Sequence, residues 1–228
     1  MFIFAGNRWT MQQQYAFLFD MDGVIVDSNP VHKIALKQFC EEHGFHLTEE
    51  QLHTKIYGRT NKDWIPVVFG DITKEQIARY AAEKEKLFRD LYAGTIEPLK
   101  GLLPFLQKLD HYGLQRAIAT SAPRENVDFT LEKTGVGSYF QVILDESFVE
   151  RGKPDPDIYL KTAAALGYDP KNCIVLEDSI SGVKSGKSAG CKVVALTTTH
   201  TKEELTEADM AIPDFDGLDP LELIDSLF

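Results

Sequence analysis

The chain has 228 residues, 43% hydrophobic and 26% charged, a globular composition with enough apolar side chain for a core, which argues against a disordered polymer. Its 24 Lys and Arg against 35 Asp and Glu give a net charge of −11, which argues against nucleic acid or anionic lipid as partner, because both reward basic patches. No apolar run reaches the roughly 18–20 residues that cross a bilayer, so no membrane partner is expected. Met1-Phe2-Ile3-Phe4-Ala5-Gly6 is too short an apolar stretch for a signal peptide and has no basic region before it. The three cysteines, Cys40, Cys173 and Cys191, lie far apart without metal-ligand spacing and read as inert thiols in a reducing compartment. A soluble cytoplasmic protein is expected; a monomer is compatible with the sequence, which fixes no oligomeric state.

Residues 1–14 show no clear periodicity, include a second methionine at Met11, and are read as an N-terminal extension of unclear role. Tyr15-Ala16-Phe17-Leu18-Phe19-Asp20 follows, an unbroken apolar run ending in a carboxylate, as expected of a strand covered on both faces. From Pro30 to about Glu97 the composition turns to Lys, Glu, Gln, Ala and Leu, predicting helices over 31–43, 49–57 and 74–93, with Gly44, Gly58, Gly70 and Gly94 at plausible ends. Leu102, Phe105, Leu106 and Leu109 then mark one face of a helix that Gly113 stops, and Ala117-Ile118-Ala119 reads as a strand ending at Thr120-Ser121. A helix over about 124–134 leads to a strand at Phe140–Ile143. Asp155 and Pro156 supply an N-cap and an N1 proline for a helix whose buried stripe is Tyr159, Thr162, Ala163 and Leu166. Cys173–Leu176 is a strand, about 180–189 a small-residue helix, Lys192–Leu196 a strand, Met210–Ile212 an edge strand and 217–227 a closing helix.

Such alternation predicts an α/β fold, a doubly wound, Rossmann-like parallel sheet with helices on both faces, interrupted by an inserted α-helical cap. The expected division is a core of 15–29 plus 98–228 and a cap of 30–97. In such sheets ligands bind just past the carboxyl ends of the strands. Four places follow from that rule. After the first strand stands Asp20-Met21-Asp22-Gly23, two carboxylates two residues apart with a glycine that lets backbone approach closely. After the second come Thr120 and Ser121, a hydroxyl and amides able to cradle an anion. Near residue 150, Lys153 sits between Gly152 and Pro154 as a point charge for carboxylate or phosphate. After Cys173–Leu176, Glu177-Asp178-Ser179 brings acids that would repel Asp20 and Asp22 unless a cation lies between; hard divalent ions want such oxygen ligands. Each feature alone is equally an acidic turn, a helix cap or a solvated loop lysine. Together they supply nucleophile, acid, hydroxyl, cation and metal ligand where the fold places a ligand.

These residues resemble the haloacid dehalogenase superfamily, whose four motifs occur in order as Asp20-Met21-Asp22-Gly23-Val24, Thr120-Ser121, Lys153-Pro154-Asp155-Pro156 and Glu177-Asp178. Asp27-Ser28 and Ile180-Ser181-Gly182 share the likeness, which runs from about residue 15 to the end. The insertion is similar to the small cap of the β-phosphoglucomutase-like branch. The resemblance implies a magnesium-dependent phosphohydrolase in which Asp20 attacks phosphorus to form an aspartyl phosphate. Asp22 would protonate the leaving oxygen and then activate water. Thr120 would bond a phosphoryl oxygen, amides near Met21 and Ser121 would cradle the others, and Lys153 would offset the charge of Asp20 and phosphate. Mg²⁺ would be held by the Asp20 side chain, the Asp22 carbonyl oxygen and Asp178, with Glu177 fixing its waters from outside. Asp22 disfavours dehalogenases and phosphonatases, which usually lack an acid there.

Cap residues normally select the substrate, and His32, Gly58, Arg59, Asn61, Lys62 and Lys84 are the candidates. His32 and Lys84 match residues of the mutase's closed-site network, but Asn61 stands where that mutase carries a phosphate-gripping arginine. Arg59 or Lys62 would be its only substitutes, and guanidinium geometry does not transfer to another position. Hydrolysis of a small, sugar-phosphate-like metabolite is therefore the first reading. Sugar phosphate isomerisation is the second, and phosphate binding without turnover the third.

Overall fold

The computed structural model describes residues 14–57 and 59–228. Most of the expected 1–14 extension, and Gly58, lie outside the described residues. By internal contacts the chain divides into two compact units, one holding the described residues up to Asp27 with Glu97–Phe228, the other Ser28–Ile96.

The first unit is built on six parallel strands: β1 (Ala16–Phe19), β2 (Gln115–Ala119), β3 (Val142–Leu144), β4 (Cys173–Glu177), β5 (Lys192–Leu196) and β6 (Met210–Ile212), in the order β3-β2-β1-β4-β5-β6. All four β1 residues are fully buried because the strand is covered on both faces. Phe17 and Phe19 join an aromatic cluster with Phe105, Phe140 and Phe215, its ring centroids 5.2–6.3 Å apart. Ala16 and Leu18 belong to a separate core with Ala117, Tyr159, Val175, Val183 and Val193. Burying each such Phe or Leu contributes about 1.5–3 kcal/mol, and this two-sided demand is why the run is unbroken in apolarity. Strand order runs outward in opposite directions from the β1–β4 pair, a topological switch point.

The second unit is helical: α1 (Asn29–Glu42), α2 (Glu49–Lys55), α3 (Asn61–Phe69) and α4 (Lys74–Tyr92). Thr48 and Thr73 open α2 and α4 with reciprocal capping boxes to Gln51 and Gln76. Helix α3 has no counterpart in the sequence reading because Pro66 lies inside it. Burial of Trp64 and Ile65 against Phe39 and Leu52 offsets the roughly 3 kcal/mol a proline costs there. The remaining helices belong to the first unit: α5 (Leu102–His111), α6 (Arg124–Thr134), α7 (Asp157–Leu166), α8 (Ile180–Ser188) and α9 (Pro220–Leu227).

Several boundaries move, and two of them have a clear physical reason. β3 begins at Val142 rather than Phe140, because Phe140 ends the 3₁₀ turn Gly137–Tyr139 and turns its ring into the aromatic cluster. α7 begins at Asp157, one residue later than the Asp155-Pro156 signal implied, although Asp155 Oδ1 still accepts the Asp157 amide at 3.1 Å. Among the described residues no helix is long and apolar enough to cross a membrane.

Candidate active site

The carboxyl ends of β1, β2 and β4 lie side by side and deliver Asp20, Thr120, Glu177 and Asp178 to one rim. The Asp20 amide donates to Leu176 O at 2.9 Å, tying the end of β1 to β4. Lys153 arrives from the loop before α7 and knits the three strand ends together. Its Nζ donates to Asp20 Oδ1 at 2.7 Å, Glu177 Oε1 at 2.7 Å and Ala119 O at 3.2 Å. That matches the three protons of an ammonium to three acceptors, and the side chain is 6% exposed.

Glu177 is fully buried and already occupied. Oε1 accepts from Lys153 and from the Tyr159 hydroxyl at 3.0 Å; Oε2 accepts the amides of Asp178 and Ser179, each at 2.9 Å, and the Ser179 hydroxyl at 3.0 Å. A carboxylate so surrounded positions its neighbours. Burial alone would raise its pKa, but the Lys153 charge and the bonds from Lys153 and Ser179 hold it below the usual glutamate range. Lys153 shows the converse: burial opposes its charge, yet Asp20 and Glu177 keep its pKa above the ordinary lysine value.

Asp20 and Asp178 carry the strain. Burial, only partly countered by Lys153 and increased by the charges of Glu177 and Asp22, pushes Asp20 up to about 7. Burial, with Glu177 and Asp20 nearby, pushes Asp178 well above the aspartate range despite a hydrogen bond from Thr199. Asp20, Glu177 and Asp178 each offer a ligand atom, all within 4.8 Å of one another. Two buried carboxylates destabilised in their charged forms, beside a third already paired with the ammonium, are what a hard divalent cation would relieve. The donors are all oxygen, so the site fits Mg²⁺.

Glycines make room for these carboxylates. Gly23 has φ +74°, and a Cβ there would fall 2.0 Å from Asp178 Oδ2; a Cβ on Gly182 in α8 would fall 1.7 Å from Glu177 Oε1. Both glycines stand in the sequence motifs. The helix cap, by contrast, is Ser179, whose hydroxyl accepts the Gly182 amide at 3.0 Å, so Asp178 is not spent on capping.

The other expected residues are placed as follows. Asp22 is half-buried in the turn closed by Gly23 N donating to Val26 O at 2.7 Å. Met21 is fully buried. Thr120 is 1% exposed and its Oγ1 accepts the Ala122 amide at 3.1 Å, an arrangement in which the hydroxyl can still donate its own proton. Ser121 is exposed. In the helical unit, Lys84 Nζ lies 3.1 Å from His32 Nδ1 and 2.8 Å from Glu85 Oε1, and His32 stacks on Phe88 at 3.7 Å. Asn61 donates to Glu85 Oε1 at 2.8 Å and accepts from Trp64 Nε1 at 2.9 Å. Arg59 and Lys62 are exposed, and Arg59 donates to Thr54 O at 3.2 Å.

Sequence reasoning missed Tyr159, Ser179, Glu85, Thr198 and Thr199. Tyr159 read as core stripe, although a fully buried tyrosine needs a partner for its hydroxyl. Thr198 and Thr199 follow β5 at a strand end, where the rule that selected the other loops applies equally. Thr198 Oγ1 donates to Gly23 O at 2.7 Å, and Thr199 Oγ1 donates to Asp178 Oδ2.

Residues 17–196 match the model of the haloacid dehalogenase-like hydrolase family. A phosphorylated carbohydrates phosphatase of Thermotoga maritima is 32% identical over 180 residues, covering 77% of this chain and 81% of that one. Hexitol phosphatase A of Escherichia coli is 32% identical over 196 residues, covering 86% and 89%. The crystal structure of a family IA, variant 3 HAD hydrolase from Entamoeba histolytica superposes with a TM-score of 0.86 at 32% identity, over 93% of this chain and 99% of that one. With the sheet, the motif residues at its switch point and these likenesses in agreement, the chain belongs to the haloacid dehalogenase-like hydrolase family.

Proposed function

We propose that the protein is a Mg²⁺-dependent phosphatase of a small, sugar-phosphate-like metabolite, acting through a phosphorylated Asp20. The observation that carries this reading is the Lys153 ammonium shared at 2.7 Å between Asp20 and Glu177, beside a third buried carboxylate on Asp178. Asp20 Oδ attacks phosphorus in line with the ester oxygen, and the phosphorus–oxygen bond to the leaving group breaks. Asp22 donates a proton to that oxygen, releasing the alcohol. Asp22, now a carboxylate, takes a proton from water as it attacks the aspartyl phosphate, returning free Asp20 and inorganic phosphate. The Thr120 hydroxyl and the amides around Met21 and Ser121 receive the phosphoryl oxygens, and Lys153 lowers the repulsion between anionic nucleophile and anionic ester. Mg²⁺, held by Asp20, the Asp22 carbonyl oxygen and Asp178, supplies the remaining charge neutralisation when bound.

Substrate class is supported by the two relatives, a phosphatase of phosphorylated carbohydrates and one of hexitol phosphates. Choice among esters is assigned to the helical unit, the proposed cap. Hydrolysis is favoured over isomerisation because Asn61 is engaged by Glu85 and Trp64, and Arg59 is turned onto Thr54. The three cysteines are free and buried, in keeping with a cytoplasmic location.

A panel of sugar, polyol and acid phosphates, assayed for phosphate release with and without Mg²⁺, tests the reading. Metal-dependent release ranked highest for sugar or polyol esters is expected. Absence of turnover with every ester would reject it. Conversion of β-glucose 1-phosphate, primed with the bisphosphate, to glucose 6-phosphate faster than phosphate appears would replace it with the mutase.

A further inference from the structure

Tyr159 stands on the buried stripe of α7, fully enclosed in the core that holds Ile158, Ala163, Val175 and Val183. A phenylalanine ring would fill that place equally well, so packing does not account for the hydroxyl. The hydroxyl donates to Glu177 Oε1 at 3.0 Å, the oxygen that also accepts Lys153 Nζ at 2.7 Å. The same ring lies beneath the ammonium, with Nζ 4.9 Å from its centroid, within the range at which an aromatic face attracts a cation. One side chain thus touches both the ammonium and the oxygen that binds it. Each carboxylate oxygen offers about two lone-pair sites; on Oε1 the phenol takes one and Lys153 the other. The ammonium also donates to Asp20 Oδ1 at 2.7 Å and Ala119 O at 3.2 Å. Without the phenol, Oε1 would offer Lys153 a second charge-assisted site and draw the ammonium away from Asp20.

We propose that Tyr159 is a positioning residue for phosphoryl transfer: its hydroxyl on Glu177 Oε1 and its ring beneath Nζ hold the Lys153 ammonium against the nucleophile Asp20. The inference rests on the proposed phosphatase reaction and adds to it a residue that acts only through Lys153 and Glu177. Misplacing a catalytic group by about 1 Å can cost about 100-fold in rate. A loss of this kind falls on kcat and leaves KM near its value, because the interaction it weakens counts in the transition state.

The test uses the full chain with Mg²⁺ and p-nitrophenyl phosphate, each protein assayed well below its own melting temperature. Tyr159→Phe keeps the ring and loses the hydroxyl; Tyr159→Leu loses both. Thr162→Val is the control, since it removes another buried hydroxyl from α7, one that donates to Ile158 O at 2.7 Å. Tyr159→Phe should lower kcat about tenfold with KM within about twofold, and Tyr159→Leu should lower kcat about 100-fold. Thr162→Val should keep the wild-type kcat. If Tyr159→Leu does not fold, Tyr159→Phe decides alone. A wild-type kcat in Tyr159→Phe, a rise in KM with kcat unchanged, or an equal loss in Thr162→Val overturns the inference alone. Wild type with no Mg²⁺-dependent turnover of this ester or of the panel's esters overturns the phosphatase reading and this inference with it.

Discussion

Replacing Gly182 by alanine tests whether the site depends on the placement of Glu177. The new Cβ would lie 1.7 Å from Oε1 and 1.9 Å from the carboxyl carbon, so regaining an ordinary 3.4 Å contact moves the group by roughly 1.7 Å. Side-chain flexibility offers no escape, because the carboxylate is held from both oxygens by Lys153, Tyr159, Ser179 and the Asp178 amide. A shift of that size breaks the 2.7 Å bond to Lys153 and leaves a buried anion without its cation, which costs about 3–5 kcal/mol. For a chain of this size that is a fall in melting temperature of about 6–20 °C. Turnover should fall with it, since Lys153 then loses one of its anchors beside Asp20. Gly94→Ala is the matched control: a Cβ there meets nothing within 4 Å, so its effect should stay within about 0.5 kcal/mol. Differential scanning calorimetry and phosphate-release kinetics on both variants read the outcome. A Gly182→Ala protein with wild-type melting and turnover would refute the claim that Glu177 is fixed and that its fixation matters.

Other expectations follow from the same geometry. Asp20→Asn should abolish all but a few per cent of turnover while remaining folded; greater residual activity would remove the covalent mechanism. Lys153→Met leaves Asp20 and Glu177 buried without their ammonium and should destabilise by about 3–5 kcal/mol, read by chemical denaturation. Mg²⁺ at about 100 times its dissociation constant should stabilise wild type by about 2.7 kcal/mol, and Asp178→Asn should largely lose that gain in a thermal-shift titration. In the helical unit, burial opposes the charge of Glu85, but Lys84 and His32 outweigh it and hold its pKa below the ordinary glutamate range. A lowered carboxylate contributes stability that is complete above the unfolded pKa near 4.3 and is lost as pH falls through the folded value. Glu85→Gln should flatten that acid limb of stability, measured by hydrogen exchange in α1 and α4; an unchanged profile would show that the Lys84–Glu85 pair is not its source.

The fold was legible because its signals are local and agree with one another. The strand ending in Asp20 is apolar on both faces, and the sheet helices carry their stripes and stops within ten residues. Helix α3 was illegible because tertiary burial of Trp64 and Ile65 overrides Pro66, and burial cannot be read from the residues alone. The rim was legible where a residue type is unusual for its place, as with carboxylates and a constrained lysine at strand ends. Tyr159 and Glu85 escaped because a tyrosine in an apolar stripe and a glutamate in a charged helix are common, and only their three-dimensional partners distinguish them. Thr199 escaped for a similar reason, a threonine in a threonine-rich loop.

The central position of β1 has a consequence for how the chain is made. Its neighbours in the sheet, β2 and β4, are both encoded far downstream, so the first of the described strands to leave the ribosome waits longest for its second neighbour. At 5–20 residues per second, roughly 8–30 s separate the emergence of Asp20 from that of Asp178. Helices α1 to α4 are synthesised within that interval and share a buried apolar cluster, so they can condense while the apolar Ala16–Phe19 segment still has no sheet to enter. A nascent chain arrested before β4 would expose four adhesive residues and hold no complete reaction centre, a vulnerability for chaperones rather than for catalysis.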